Sequence, residues 1–224
     1  MAVEIFPTAV PVDESQLRER ANFVRGFSKN FHIDADDGIF TPLTCWPYIA
    51  KGRYQDFDLL AAEGLETEVH LMVQDPREIG RRFAEAGARA VFGHVETFAN
   101  VEDAKETLGS WRALGAKEVG MAILLDTPLR VLDDMVQFCD FLCLMGSAQI
   151  GAQGAKFDPN VIERAREVHK RFPVLQLEVD IGVSEDTIHD LALAGVTRFA
   201  VGSALARSEN PANTHAQLLS LAQL

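Results

Sequence analysis

The sequence predicts an α/β fold, a single (β/α)8 barrel (a TIM barrel) spanning residues 1–224, and three observations predict it. Short β-branched and apolar runs alternate with longer amphipathic stretches, the pattern of a parallel sheet with helical crossovers. Eight such units follow one another, and eight close a barrel more naturally than they form an open sheet. The chain is close to the length of one complete barrel and contains no linker at which to divide it. A doubly wound open sheet is the alternative. It needs a Gly-rich turn after the first strand, and Pro7-Thr8-Ala9-Val10-Pro11 is no dinucleotide loop.

In chain order, the expected strands are Glu4–Val10, Asn30–Ala35, Glu66–Val73, Ala90–Val95, Glu118–Leu124, Phe138–Met145, Leu175–Asp180 and Arg198–Val201. Between them the pattern predicts helices near Glu14–Phe27, Asp56–Glu63, Pro76–Ala86, Val101–Leu114, Pro128–Met135, Pro159–Phe172, Ser184–Leu193 and Pro211–Leu221. Start signals support several of these: Asp75 precedes Pro76, Asp158 precedes Pro159, and Ser184 opens Ser184-Glu185-Asp186. Gly87, Gly115 and Gly195 stand where a helix should stop before the next strand, a weak βα repeat.

Composition narrows the functions available. A hydrophobic content of 47% with 24% charged residues belongs to an ordinary globular protein able to bury a core. The formal charge of -12, with no cluster of Lys and Arg, argues against nucleic acid and anionic membranes as partners. An anionic small molecule would then have to be held by backbone amides or a metal. Cys45, Cys139 and Cys143 have no disulfide spacing and read as inert core thiols of a reducing compartment. With no basic-then-apolar leader in residues 1–25 and no membrane-length apolar run, a cytoplasmic location is expected.

Catalytic groups of such barrels cluster at the C-terminal ends of the strands. Four ionisable residues stand there: His32 and Asp34 in Phe31-His32-Ile33-Asp34, His70 in Val69-His70-Leu71-Met72-Val73, and Asp180 in Leu177-Glu178-Val179-Asp180. His32 and Asp34 are two residues apart on a strand and so share a face, which in a barrel can be the axis. Two imidazoles and two carboxylates would form a mixed site suited to Zn²⁺, Fe²⁺, Mn²⁺ or Co²⁺. Taken singly, such a residue is more often a satisfied structural polar group or a helix cap.

Longer motifs bear on that choice. His32-Ile33-Asp34-Ala35-Asp36-Asp37-Gly38-Ile39-Phe40-Thr41-Pro42, Val69-His70-Leu71-Met72-Val73 with Asp75-Pro76, His94-Val95-Glu96, Thr127-Pro128-Leu129, Val179-Asp180 and Gly202-Ser203-Ala204 occur in order along nearly the whole chain. Together they resemble the ribulose-phosphate 3-epimerase family. The resemblance implies one divalent metal ion on His32, Asp34, His70 and Asp180, with Asp34 and Asp180 as the acid and base that epimerise a sugar-phosphate carbon next to a ketone. It also implies a homo-oligomer and a default pair of substrates, D-ribulose 5-phosphate and D-xylulose 5-phosphate. The chemistry is coherent, because a cation stabilises the enediolate formed when the proton leaves, and inversion needs a donor and an acceptor on opposite faces.

The chain departs from that family where the substrate would be held. Pro11 stands where the family usually has Ser, and Asp36 where it usually has Met. Asp36 either faces the site with Asp34 or is solvated in a loop. The sixth loop, Gly146 to Ala155, lacks the usual Pro and Gly pair, Leu124-Leu125-Asp126 replaces the usual Asn-Pro-Ala, and Ile181-Gly182 replaces the usual Gly-Gly. Gly151, Gly154, Gly182, Gly202 and Ser203 remain able to bind phosphate. Catalytic residues retained beside altered holding loops allow another ketose or a hexulose phosphate as substrate. Barrel lyases and synthases with an Asp-x-Lys-x-x-Asp motif are a further alternative, but Asp34-Ala35-Asp36-Asp37 has no Lys. A non-catalytic metal-binding barrel is the last.

Overall fold

The structure, a computed structural model, describes residues 2–151 and 155–223. Its elements run β1 (Glu4–Ala9), α1 (Glu14–Arg25), β2 (Asn30–Asp36), β3 (Tyr48–Ala50), β4 (Arg53–Tyr54), β5 (Glu66–Met72), α2 (Pro76–Glu85), β6 (Ala90–His94) and α3 (Val101–Ala113). They continue with β7 (Glu118–Ile123), β8 (Phe141–Met145), α4 (Asn160–Arg171), β9 (Gln176–Asp180), α5 (Ile188–Leu193), β10 (Arg198–Val201), α6 (Ser203–Ala206) and α7 (Pro211–Ala222). Eight strands close in the order β1-β10-β9-β8-β7-β6-β5-β2, every neighbouring pair parallel. The expected (β/α)8 barrel is therefore present. The short antiparallel pair β3-β4, which the sequence pattern did not announce, is inserted after β2.

Strand alternation divides the buried residues into two layers. Phe31, Ile33, Ala35, Val69, Leu71, Leu177 and Val179 point outward into the large core shared with the helices. The intervening residues point to the barrel axis, where Ala90, Phe92, Ala122, Phe141, Cys143 and Met145 form a separate apolar cluster. Register carries the polar interior: His32 pairs with Glu68, Asp34 with His70, Arg198 with Glu178, and Met145 with Asp180.

Three expected helices are shorter than the pattern suggested. Asp56–Glu63 reduces to one 3₁₀ turn at Leu60–Ala62, opened by Asp58 accepting the Leu60 N–H at 2.9 Å. Pro128–Met135 becomes two 3₁₀ turns, Leu129–Leu132 and Val136–Phe138, neither with a capping side chain. At Ser184 the start signal is spent on a turn. Thr187 Oγ1 accepts the Ser184 N–H at 3.0 Å and donates to the Gly182 carbonyl at 2.8 Å, so the helix begins only at Ile188.

One close approach shows how tightly the helical layer is packed. A Cβ added at Gly80, inside α2, would lie 2.3 Å from the Trp111 ring, and Trp111 is fully buried with its Nε1 donating to the Arg77 carbonyl at 3.1 Å. Helix propensity favours Ala over Gly by about 1 kcal/mol. Overpacking costs about 1–3 kcal/mol and here also strains a partly buried hydrogen bond. Gly80→Ala is therefore expected to lower the urea midpoint despite its better propensity; a rise would show that Trp111 yields freely.

Candidate metal centre and active site

At the C-terminal mouth of the barrel, ligand-capable atoms of His32, Asp34, His70 and Asp180 all lie within 4.8 Å of one another. The four residues singled out from strand-end positions in the sequence are thus brought together from β2, β5 and β9. Asp34 sits between the imidazoles, its Oδ1 3.1 Å from His32 Nε2 and 3.1 Å from His70 Nδ1. Asp180 Oδ2 is 3.6 Å from the same His70 nitrogen. The donor set, two imidazole nitrogens and two carboxylate oxygens converging from rigid strands, fits a divalent transition-metal ion.

The electrostatics of the cluster point the same way. Burial opposes charge on His32, but the charge of Asp34 and hydrogen bonds to Asp34 and Glu68 outweigh it, and its pKa is well above the ordinary imidazole value. Burial likewise opposes charge on His70, yet hydrogen bonds to Asp180 and Asp34 push it up to about 9. Burial alone would raise Asp34. The two imidazoles instead hold it well below the usual carboxylate range. Protons thus occupy positions on both imidazoles that a cation can replace.

Each imidazole is fixed from behind. His32 Nδ1 lies 2.7 Å from Glu68 Oε1, which leaves Nε2 toward Asp34. His70 Nε2 lies 3.0 Å from His94 Nε2. Burial holds His94 down to about 4 and therefore neutral, so it can accept from His70 and turn Nδ1–H toward Glu96 Oε2, 3.3 Å away without hydrogen-bond alignment. His70 Nδ1 is then the nitrogen presented to the cluster. Glu96 is itself anchored, Oε1 accepting the Leu124 N–H at 2.9 Å.

Above the cluster opens a cavity of about 480 Å³ whose wall includes Thr8, Asp34, Asp36, Asp180, Gly202 and Ser203. That volume suits a small-molecule ligand. Gly151 and Gly182 also line it, whereas Gly154 lies outside the described residues. Gly182 has φ 80° and closes on Phe157, and the preceding Ile181 has φ 77°, a strained conformation for a β-branched side chain. Pro11 lies past the end of β1 and offers no hydroxyl, but Thr8 on β1 borders the cavity close to Gly202.

The solvated reading of Asp36 is corrected. Strand β2 continues through Asp36, paired with Met72, and the residue is fully buried with Oδ1 accepting from Thr41 Oγ1 at 2.6 Å. Burial, with the charge of Asp34 added, pushes its pKa up to about 7. Residues the sequence reading passed over also lie here. Arg20 and Arg207 line the cavity, and Glu68, Glu178 and Arg198 fill the axis below it. Glu68 and Glu178 were detectable: each lies two residues before a site residue, His70 or Asp180, on the same inward face. Cys45 and Cys143 are buried thiols and Cys139 is half-buried, all unpaired. Among the described residues no helix is long and apolar enough to cross a membrane.

Comparison with known proteins places this geometry. The model of the Ribulose-phosphate 3 epimerase family matches residues 4–206. The ribulose-phosphate 3-epimerase of Mycobacterium bovis is 33% identical over 219 residues, 96% of this chain and 90% of its own. That of Escherichia coli is 31% identical over 207 residues, 90% of this chain and 88% of its own. Among solved structures, 3-hexulose-6-phosphate synthase from Salmonella typhimurium has a TM-score of 0.70 at 17% identity, covering 99% of this chain and 98% of that one. At that identity the likeness shows the barrel alone.

Proposed function

The chain belongs to the ribulose-phosphate 3 epimerase family, isomerases acting on sugar phosphates, and from that premise we propose that it inverts the carbon beside the ketone of a ketose phosphate. D-ribulose 5-phosphate and D-xylulose 5-phosphate are the default pair. The observation that carries this reading is the convergence of His32, Asp34, His70 and Asp180 beneath a cavity of substrate size.

In this reading His32, Asp34, His70 and Asp180 hold one divalent ion, which when bound supplies Lewis-acid stabilisation of the negative charge that develops on the substrate. Asp34 on β2 and Asp180 on β9 reach the cavity from different walls. One carboxylate takes the proton from carbon, and the other, protonated at the start of the turnover, delivers a proton to the opposite face. The two exchange roles in the reverse direction. Burial of His32 and His70, with Asp34 and Asp180 exposed only at the cavity wall, keeps both carboxylates in place.

The anionic end of the substrate rests toward Gly151, Gly182, Gly202 and Ser203, and Arg20 and Arg207 supply the local positive charge that a chain of net charge -12 otherwise lacks. The variant Arg20→Met/Arg207→Met is expected to raise KM for a phosphorylated ketose by about 10–100-fold with little change in kcat, the loss of charge-assisted hydrogen bonds. An unchanged KM would remove both arginines from the site. A different ketose remains a second reading, and the observation favouring it is Asp36, whose buried carboxyl, held by Thr41 Oγ1, lies behind the cavity wall where the family usually has Met.

The test follows deuterium entry from solvent at the ketose C3 by NMR, together with inversion, across pentulose and hexulose phosphates and their unphosphorylated sugars. Exchange with a phosphorylated ketose is expected, and exchange with none would overturn the proposal.

A further inference from the structure

Below the proposed metal centre, three charged side chains are sealed inside the barrel. Arg198 is 1% exposed, and Glu68 and Glu178 are fully buried. The Arg198 guanidinium donates through Nε to Glu178 Oε2 at 2.9 Å, through Nη1 to Glu118 Oε2 at 3.0 Å, and through Nη2 to Glu68 Oε2. Its Cζ lies 4.6 Å from the Phe6 ring and 4.1 Å from the Phe141 ring. Every N–H edge of the guanidinium meets a carboxylate, and aromatic rings lie close to it, so it has one orientation.

The second Glu68 oxygen, Oε1, accepts from His32 Nδ1 at 2.7 Å. Glu68 cannot turn without losing Arg198 or His32. His32, Glu68 and Glu178 are themselves a grouping that could hold a cation, and the guanidinium already supplies positive charge to its two carboxylates. A buried ion pair is weak evidence of stability, since desolvation can cancel its attraction. The arrangement accounts better for a geometric task, because the ring nitrogen that a metal imidazole presents is set by the hydrogen bond its other nitrogen makes.

We propose that Arg198, acting through Glu68, is a positioning residue for His32: the pair holds the proton on Nδ1 and presents Nε2 to the divalent ion. This rests on the reading of His32 as a metal ligand. The test strips the full-length protein of metal and measures Zn²⁺ affinity against a competing chelator, with urea stability recorded separately. Glu68→Gln is expected to bind Zn²⁺ about 10–100-fold more weakly. Arg198→Lys, which keeps the charge but not the fork, should weaken it less. A purely structural pair would lower stability and leave affinity alone, and that result overturns the proposal.

Should either variant not fold, the parent protein still decides. Nitrogen NMR of the Zn²⁺-loaded chain is expected to find His32 protonated at Nδ1, whereas a proton on Nε2 overturns the proposal. No Zn²⁺ uptake by the parent overturns it as well. A parent that exchanges no ketose proton while Glu68→Gln loses Zn²⁺ affinity rejects the epimerase reading and keeps the positioning role. Exchange by the parent with unchanged affinity in the variant does the reverse.

Discussion

Asp34→Asn and Asp180→Asn are each expected to abolish epimerisation while leaving the barrel folded. Asn keeps the shape of Asp but cannot take or deliver a proton, and a positioned acid or base is worth about 10²–10⁴-fold in rate. Inversion needs both, so neither remaining aspartate completes a turnover alone. At most, each variant retains exchange of the proton that its intact aspartate handles, seen as deuterium entering one epimer without appearance of the other. Asp34 also stands 3.1 Å from both His32 and His70, so its loss loosens the cluster as well as removing a base. Metal content must therefore be measured beside turnover, to separate loss of the ion from loss of the base. Folding should survive, because both imidazoles can shed their charge once the carboxylate is gone. Full turnover by either purified variant would sink the two-aspartate mechanism.

How much of this was legible in the sequence depends on which force fixed each element. The barrel strands were readable because apolar runs and helical periods alternate eight times, and the structure moves their ends by only a few residues. His32 and Asp34 were readable because alternation on one strand puts both on one face, which the register with Glu68 and His70 then directs to the axis. The helix at Asp56–Glu63 was misread because a local side-chain hydrogen bond, Asp58 to Leu60, outweighed an amphipathic pattern, and the β3-β4 pair went unannounced because its strands are only three and two residues long. Asp36 was undecided because strand continuation is set by pairing with Met72, a residue far along the chain. Arg198 gave no warning, since its neighbours Glu68, Glu118 and Glu178 come from three other strands, and only closure of the barrel assembles them.

Removing the metal is the second change expected to have a large effect, and pH should govern it in a definite direction. Chelation is expected to abolish exchange, and re-addition of one divalent ion per chain to restore it. In the ion-free cluster His70 is raised to about 9 and His32 lies well above its ordinary value of 6.5, so near neutral pH both carry protons that ion binding must displace. Affinity should therefore climb with pH between about 6 and 9, by up to about tenfold per unit for each proton displaced. Calorimetry in buffers of different ionisation enthalpy counts those protons. Stability of the stripped protein should move the opposite way. Imidazoles whose pKa is higher folded than unfolded contribute stability in full below about 6.5 and lose it as pH rises through about 9. The urea midpoint of the stripped chain should thus fall across that interval, while the loaded chain, its imidazoles held by the ion rather than by protons, should lack the fall. Ion affinity independent of pH, with no proton released, would place the ion somewhere other than His32 and His70.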